Sequence, residues 1–370
     1  MGTIKQNFAN NIETGGKLDA KDLSGVISAS NVADASVSDV TSISPSIGDT
    51  IQTVSSDVSP ASFGDIWYNS TLGKIRLLQL GTGTWASGGS LNTARDSLYS
   101  TGSQTANLVY SGQNPSGNTV DVESYDGSSW TEIANVNTAL RSGASAGTST
   151  SALKIDGYTG SGASGTVESW NGSAWTEITE LNTSRFDGTA AGASGSAAIA
   201  FGGSTPTRVG NNESWNGSAW TELNDMVAVT SFNRGGGTST AALSTGGYAP
   251  PGSTRSGKTE SWDGTNWTEV GDLNLVRNAH AYSGSGNTTG LVFAGDNPGA
   301  PTTVNTESYD GSTWTEVNNL ATARYRLGGS SNIGTNNSAL ASSGYNSSDT
   351  RQTASEEWTV PSGAQSISGS

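Results

Sequence analysis

Glu168-Ser-Trp-Asn-Gly-Ser-Ala-Trp175 is one of five near-copies of a single phrase in this chain. The others are Glu123-Ser-Tyr-Asp-Gly-Ser-Ser-Trp130, Glu213-Ser-Trp-Asn-Gly-Ser-Ala-Trp220, Glu260-Ser-Trp-Asp-Gly-Thr-Asn-Trp267 and Glu307-Ser-Tyr-Asp-Gly-Ser-Thr-Trp314. Their closing Trp residues are 45, 45, 47 and 47 positions apart. A fixed period in the range of about 40 to 50 residues means a repeat architecture, and with aromatic and Asp/Asn-Gly signals it predicts propeller blades.

Each unit reads as four short strands. An aromatic strand runs into Asp-Gly or Asn-Gly, which favour the positive φ angles of a two-residue hairpin turn, and then into a Trp strand. Thr-Glu and an aliphatic follow: Ile133, Ile178, Leu223, Val270 and Val317. About ten residues past the Trp stands an Arg, at Arg95, Arg141, Arg185, Arg277 and Arg324, with Thr230 in that place in the unit starting at Trp220. Then comes a strand of small residues, such as Gly143-Ala-Ser-Ala-Gly-Thr148. An apolar one follows that ends in Gly, such as Ala197-Ala-Ile-Ala-Phe-Gly-Gly203.

This order resembles the kelch repeat, which runs Arg, Gly-Gly, Tyr-Asp, Trp. Gly202-Gly203 and Gly246-Gly247 match it fully, and Ser111-Gly112 and Ala294-Gly295 are degenerate versions. The resemblance covers residues 85 to about 360 and implies a closed ring of blades. Thr353-Ala-Ser-Glu-Glu-Trp-Thr-Val360 ends the series without an Asp-Gly-x-x-Trp continuation, and Trp85 begins it without an aromatic strand of its own. A ring must close to remove its edge strands. The Trp85 strand is therefore expected to pair with the Trp358 strand, giving an all-β, six-bladed kelch-like propeller over 85–370.

The rest of the chain has other grammar. Residues 1–63 contain no Trp or Tyr and only Phe8 and Phe63. They could not bury a core alone and read either as a disordered leader or, the reading taken here, as an extended anchoring arm that orders on partner chains. Residues 64–84, from Gly64-Asp-Ile-Trp-Tyr-Asn69 to Leu80, have two apolar runs around a polar Gly-containing loop and read as a β-hairpin connector.

Composition narrows the function. Apolar residues make up 32% of the 370, and adding the 50 Gly brings the chain near the globular norm. Net charge is −15, with 17 basic residues and no basic run, so a phosphate-tracking nucleic-acid surface is not expected. There is no Cys, which leaves no disulfide, thiolate metal site or Cys nucleophile. No apolar stretch of about 18 residues is present to span a membrane as a helix. The opening Met1-Gly-Thr-Ile-Lys-Gln-Asn-Phe8 has no apolar signal core.

Trp85, Trp130, Trp175, Trp220, Trp267, Trp314 and Trp358 are expected to be wedge-filling core between blades. Sugar stacking is the competing role. Glu132, Glu177, Glu222, Glu269 and Glu316, of the Thr-Glu pairs, are expected to meet a repeat Arg in partly buried ion pairs that fix blade register. The first strands are expected to be poor in large residues because blades crowd at the axis.

Three motif matches stand in the wrong context. Gly252-Ser-Thr-Arg-Ser-Gly-Lys-Thr259 fits a phosphate-loop pattern, but it follows Pro250-Pro251 and precedes a strand rather than a helix. Gly143-Ala-Ser-Ala-Gly147 fits a nucleophile elbow without the strand-to-helix turn, and the one histidine, His280, reads as packed. Asn171-Gly-Ser173 and Asn216-Gly-Ser218 fit the glycosylation acceptor pattern but read as turns. The repeated phrase is similar to the sialidase Asp-box, one residue shorter, without that enzyme's Arg cluster and Tyr nucleophile. Galactose oxidase also has kelch blades, but its copper site needs His ligands and a Cys-linked Tyr. No catalytic, cofactor or metal site is expected.

Gly64-Asp-Ile-Trp-Tyr-Asn-Ser-Thr-Leu-Gly-Lys-Ile-Arg76 is similar to a segment of tailed-phage structural and fibre proteins, especially of marine and cyanobacterial phages. Asp22-Leu-Ser-Gly-Val-Ile-Ser-Ala-Ser-Asn-Val32 looks like the shaft phrases of such fibres. The resemblance implies a non-enzymatic virion protein that attaches through its arm to other virion proteins or to copies of itself. Its propeller would then present a host-attachment or receptor-binding surface to a host glycan or protein. The alternatives are a lectin-like carbohydrate-binding propeller and a glycan-degrading enzyme. Binding differences are expected in loops 113–118, 158–165, 204–210, 248–257, 296–303 and 345–352.

Overall fold

The computed structural model describes residues 12–13, 17–18, 52–57, 66–252, 254–299 and 302–366. The described secondary structure is β only, in two compact units: Gly83–Thr359, and Met1–Thr82 with Val360–Ser370.

The larger unit is a six-bladed β-propeller. Blades 1 to 5 are each a four-stranded antiparallel meander, beginning at Tyr99, Ala144, Thr189, Arg234 and Ala281 and ending at Glu132, Ile178, Glu222, Glu269 and Val317. Blade 6 joins Gly328–Gly329, Ser338–Ser342 and Ser355–Thr359 to Thr84–Ser87 from the start of the unit. Trp358 pairs with Trp85, so the ring closes as the truncated first and last units require. An antiparallel meander puts its loops alternately on two faces. The connectors between blades and the loops from second to third strand share one face, the connector face. The loops from first to second strand and the Asp/Asn-Gly loops share the other, the turn face.

The repeated aromatics are the wedges between blades. Five blades pair an aromatic with a Trp across the third and fourth strands at ring separations of 4.9–5.4 Å, and Trp85 with Trp358 makes the sixth pair at 5.5 Å. Trp175 then packs on Tyr110 of the preceding blade, Trp267 on Phe201 and Trp85 on Phe293, at 4.6–4.9 Å. Trp130, Trp175, Trp220, Trp267, Trp314 and Trp358 are buried and Trp85 is half-buried.

The Asp/Asn-Gly turn differs from the expected two-residue form. Tyr125 pairs with Trp130, which leaves a four-residue loop. The Asp126 carboxylate caps it, accepting from the Ser128 and Ser129 amides, and only Gly127 needs a positive φ, of 94°. These bonds hold Asp126 down to about 2.

Two sets of backbone bonds lock neighbouring blades. The Gly that ends each second strand (Gly112, Gly157, Gly203, Gly247, Gly295 and Gly344) has φ between 93° and 136°. Its amide donates to the connector carbonyl of Leu140, Arg185, Thr230, Arg277, Arg324 and Arg95 respectively, at 2.8–3.1 Å. Closer to the axis, Ser97, Ser142, Asp187, Phe232, Ala279 and Arg326 all have positive φ of 48–58°. Each donates its amide to the carbonyl of the one before, with Ser97 donating to Arg326, in a closed ring of 2.5–3.1 Å bonds. A left-handed conformation at six non-Gly residues is costly. The ring compensates by satisfying every one of those amides.

The axis is blocked on the turn face. The blade 6 loop after Gly329 folds across it, and Asn332, fully buried with φ 78°, donates to Ser145 O at 3.1 Å and accepts from Gly192 N at 3.3 Å. A Cβ on Gly236 would meet the Asn332 amide at 3.0 Å. The Gly-rich first strands thus make room for this plug.

The other unit holds a sheet in which Ile66–Asn69 and Lys74–Leu80 form the expected hairpin. Gln52–Val54 pairs in parallel with its first strand and Ser362–Ser366 antiparallel with its second. Two expected boundaries therefore shift. The C-terminal strand leaves the 85–370 propeller span, and residues 52–54 of the 1–63 arm are sheet. Asp57 anchors this region, accepting from Trp67 Nε1, Asn69 Nδ2 and Arg76. The rest of the arm, apart from the paired Ile12–Glu13 and Lys17–Leu18, lies outside the described residues.

Candidate functional site: the connector face and axial recess

The ion pairs that hold the blades use a different glutamate from the one expected. Glu132, Glu177, Glu222, Glu269 and Glu316 stand on the edge strand and are exposed. The buried partner is the glutamate that opens the repeated phrase, on the third strand: Glu123, Glu168, Glu213, Glu260, Glu307 and, in blade 6, Glu356. Each accepts connector amides, as Glu123 does from Asn92 N at 2.7 Å and Thr93 N at 3.3 Å. Arg95 pairs with Glu123, Arg185 with Glu213 at 3.2 Å, Arg277 with Glu307 at 2.5 Å and Arg324 with Glu356 at 2.5 Å. Strand register opposes the two glutamates of each phrase directly, as Glu123 with Glu132. Like charges facing across a ladder are destabilising, and in blades 1, 2, 3 and 5 a buried cation offsets the repulsion.

Arg141 is not one of these arginines. It lies one residue past the equivalent place, which fully buried Leu140 fills. The cation for Glu168 comes instead from Lys154 on the second strand, at 2.9 Å with both side chains fully buried. Other blades have Val109, Ala200, Ser244, Val292 or Ala341 opposite the glutamate there. Blade 4, with Thr230 and Ser244, has neither cation. Glu260 is held by the Val227 and Ala228 amides alone, and burial raises its pKa. Lys258 relieves the opposed pair from outside through Glu269.

The propeller unit has twelve Lys and Arg residues, and five serve these glutamates. Of the others, Arg141, Arg208, Arg255, Arg326 and Arg351 all stand on the connector face over aromatic rings. Arg141 lies 4.8 Å from the Tyr158 ring, Arg208 and Arg255 flank Tyr248 at 5.6 and 5.9 Å, and Arg351 is 5.0 Å from Tyr345. Arg326 is 5.7 Å from both Phe232 and Tyr325. These rings and guanidiniums are half-buried. Arg255 binds Asp296 at 2.8 Å and Arg351 binds Asp96 at 2.7 Å. The described loops of the turn face carry no Lys or Arg. In a chain of net charge −15, five arginines of the propeller unit thus stand with aromatics on one face.

At the centre of that face the axis opens into a narrow recess lined by all six first strands, including Ser100, Ser145, Thr189, Arg234, Tyr282 and Gly329. Asn332 closes it below. At its rim Asp187 is only 4% exposed, and its Oδ1 has no hydrogen-bond partner. Burial pushes its carboxyl up to about 7 against the opposing pull of Arg234, a hydrogen bond with the Ser142 side chain, and the more distant Arg326 and Arg141. None of the three arginines forms an ion pair with it.

No family model matches the chain, and no curated protein matches it.

The remaining motif residues are structural. His280 is fully buried just ahead of the blade 5 first strand, with Nε2 2.9 Å from Thr245 Oγ1, and burial drives its pKa well below the usual value. Residues 144–147 of the elbow-like motif are a first strand. The phosphate-loop match falls on a two-stranded hairpin, Tyr248–Ala249 with Thr254–Arg255, and the strand Thr259–Trp262 follows it. Among the described residues no group of three or more His, Asp or Glu is placed to hold a metal. Asp187, Arg234 and Arg326 escaped the sequence reading because none belongs to a repeated phrase.

Proposed function

We propose that this chain is a non-enzymatic structural and host-attachment protein of a tailed-phage virion, kelch-like in its blades. Its N-terminal residues attach to other virion subunits or to copies of itself, and the propeller presents its connector face outward. The observation that carries the reading is the combination of two features in one chain. One is a Gly64–Arg76 segment and an arm with phrases similar to those of tailed-phage fibres. The other is a propeller whose repeated ionisable residues hold its blades together. Four buried glutamate–arginine pairs and one glutamate–lysine pair tie connectors and strands together within the ring. The loops on the connector face differ in length and sequence from blade to blade, and recognition surfaces are usually built on such loops.

A lectin-like propeller without a virion role is the second reading, favoured by the arginine–aromatic pairs of the connector face. Antibody against the propeller decides between them. Gold label at a fixed position on purified particles supports the virion reading. Absence of the protein from particles that are otherwise complete overturns it.

A further inference from the structure

We infer that a groove on the turn face between blades 1 and 2 binds a neutral sugar, a hexose or short hexose chain without charge. Asp126 accepts from its hydroxyls and Ile133 receives its C–H face. The inference goes beyond the attachment reading and does not rest on it, because the groove lies off the connector face.

The repeat itself shows why the groove exists. At five of the six junctions the residue four past the closing Trp meets the turn of the next blade, two residues before that blade's Trp. Thr179 Oγ1 donates to Ser218 O at 3.1 Å, Asn224 Nδ2 to Thr265 O at 2.9 Å and Asn318 Nδ2 to Gly83 O at 2.8 Å. Gly89 and Gly271 close two more junctions by backbone contact, since a Cβ on either would lie 2.3 Å from Ser128 O or Ser312 O. The sixth junction has Ala134 and Ser173 at these places. A methyl group can neither donate to that carbonyl nor let the two backbones touch. Ala134 and Ser173 instead both line a groove of about 460 Å³, within the size range of small-ligand sites.

The lining selects the ligand. Buried Tyr125 and Trp170 form the floor, half-buried Ile133 adds apolar surface, and the remainder is small and rich in hydroxyls, such as those of exposed Thr105 and Thr150. Asp126 is the one charged side chain in it. It is exposed, and its Oδ2 accepts only from Ser129 Oγ, at 3.2 Å, which leaves that oxygen open to a further donor. An anion would face the ionised Asp126 with no Lys or Arg in the lining. A metal ion would find a single carboxylate. A wholly apolar ligand would strip water from the carboxylate and the hydroxyls without replacing its hydrogen bonds. A neutral sugar donates to Asp126 in a charge-assisted bond, exchanges bonds with the Thr and Ser hydroxyls, and lays carbon on Ile133.

The test is NMR titration of the full chain with methyl glucoside, methyl galactoside, methyl mannoside, maltose, cellobiose and lactose. The methyl glycosides of glucuronic and galacturonic acid serve as charged counterparts. At least one neutral sugar is expected to bind saturably at one site, with a Kd on the order of 1 mM. The uronic acids should bind about tenfold more weakly than the best neutral sugar. Ala134→Asn, which copies Asn224 and Asn318, should bridge to Ser173 O, close the groove and lower that affinity by more than about tenfold, with a melting temperature at or above the parent's. Asp126→Asn, which copies the turns of Asn171 and Asn216, should keep the fold and cost about tenfold in affinity, the worth of one charge-assisted contact. The inference is overturned if no neutral sugar of the panel binds at millimolar concentration, if a uronic acid binds as tightly as the best of them, or if either folded variant keeps the parent's affinity. Each of those results leaves the position of the protein on the particle unaffected.

Discussion

Blade 2 carries its buried cation on a different strand from the other blades, and that exchange can be reversed by mutation. Lys154 and Glu168 meet at 2.9 Å with both side chains fully buried. Removing one partner of such a pair leaves an uncompensated charge and costs about 3–5 kcal/mol. Lys154→Val, which installs the residue found at positions 109 and 292, should therefore lower the melting temperature by roughly 10 °C at neutral pH, at about 2–4 °C per kcal/mol. Leu140→Arg alone should also destabilise, because a second buried cation would compete for one carboxylate. Together the two changes recreate the arrangement of blade 1, where Arg95 serves Glu123 opposite Val109. The double variant should recover to within about 1 kcal/mol of the parent, a coupling well outside the additivity seen for independent sites. Denaturant unfolding at two pH values provides the assay. Acidification should shrink the cost of Lys154→Val, since an unpaired buried Glu168 takes up a proton, as burial already favours for cation-free Glu260. Simple addition of the two single-mutant costs would refute the claim that Leu140 and Lys154 exchange roles.

Asp187 makes stability fall with rising pH. Its folded carboxyl titrates near 7 against 3.8, so the unfolded chain ionises first. The penalty is absent below about pH 4 and complete above about pH 7, at about 4 kcal/mol. Asp187→Asn should flatten that slope in urea titrations run across the range, and parallel profiles for the two proteins would contradict the burial argument. Asn332→Ala removes the plug's bonds to Ser145 and Gly192 and places Ala at φ 78°. It should cost about 2–4 kcal/mol by thermal unfolding, and a neutral result would mean the axis does not need its plug. Deleting residues 1–51, a cut that spares the Gln52–Val54 strand, should keep the propeller's melting transition and abolish incorporation into particles. Normal copy number on the particle would remove the arm from the attachment role.

The fold was legible because its period is carried by residues whose burial is obligatory. Trp residues at fixed spacing fill identical wedges, and the missing half-units at Trp85 and Trp358 could be resolved only by pairing them. The ion pairs were harder. Two glutamates recur in every phrase, and recurrence alone does not separate them. Position in the blade does: Glu123 is on an interior strand and Glu132 on the edge, where water solvates it. Arg141 misled for a smaller reason, being eleven residues past its Trp where the true set stands at ten. The recess was invisible for the opposite reason. Its rim residues, Ser97, Ser142, Asp187, Phe232, Ala279 and Arg326, share one backbone conformation and one hydrogen-bonded ring, yet carry five different side chains. The ring needs only their amides and carbonyls, so packing imposes no residue type there. A position that the scaffold fixes in space but leaves chemically free is one where a repeat protein can build a single, unrepeated site. Asp187 and Arg326 stand at two such positions.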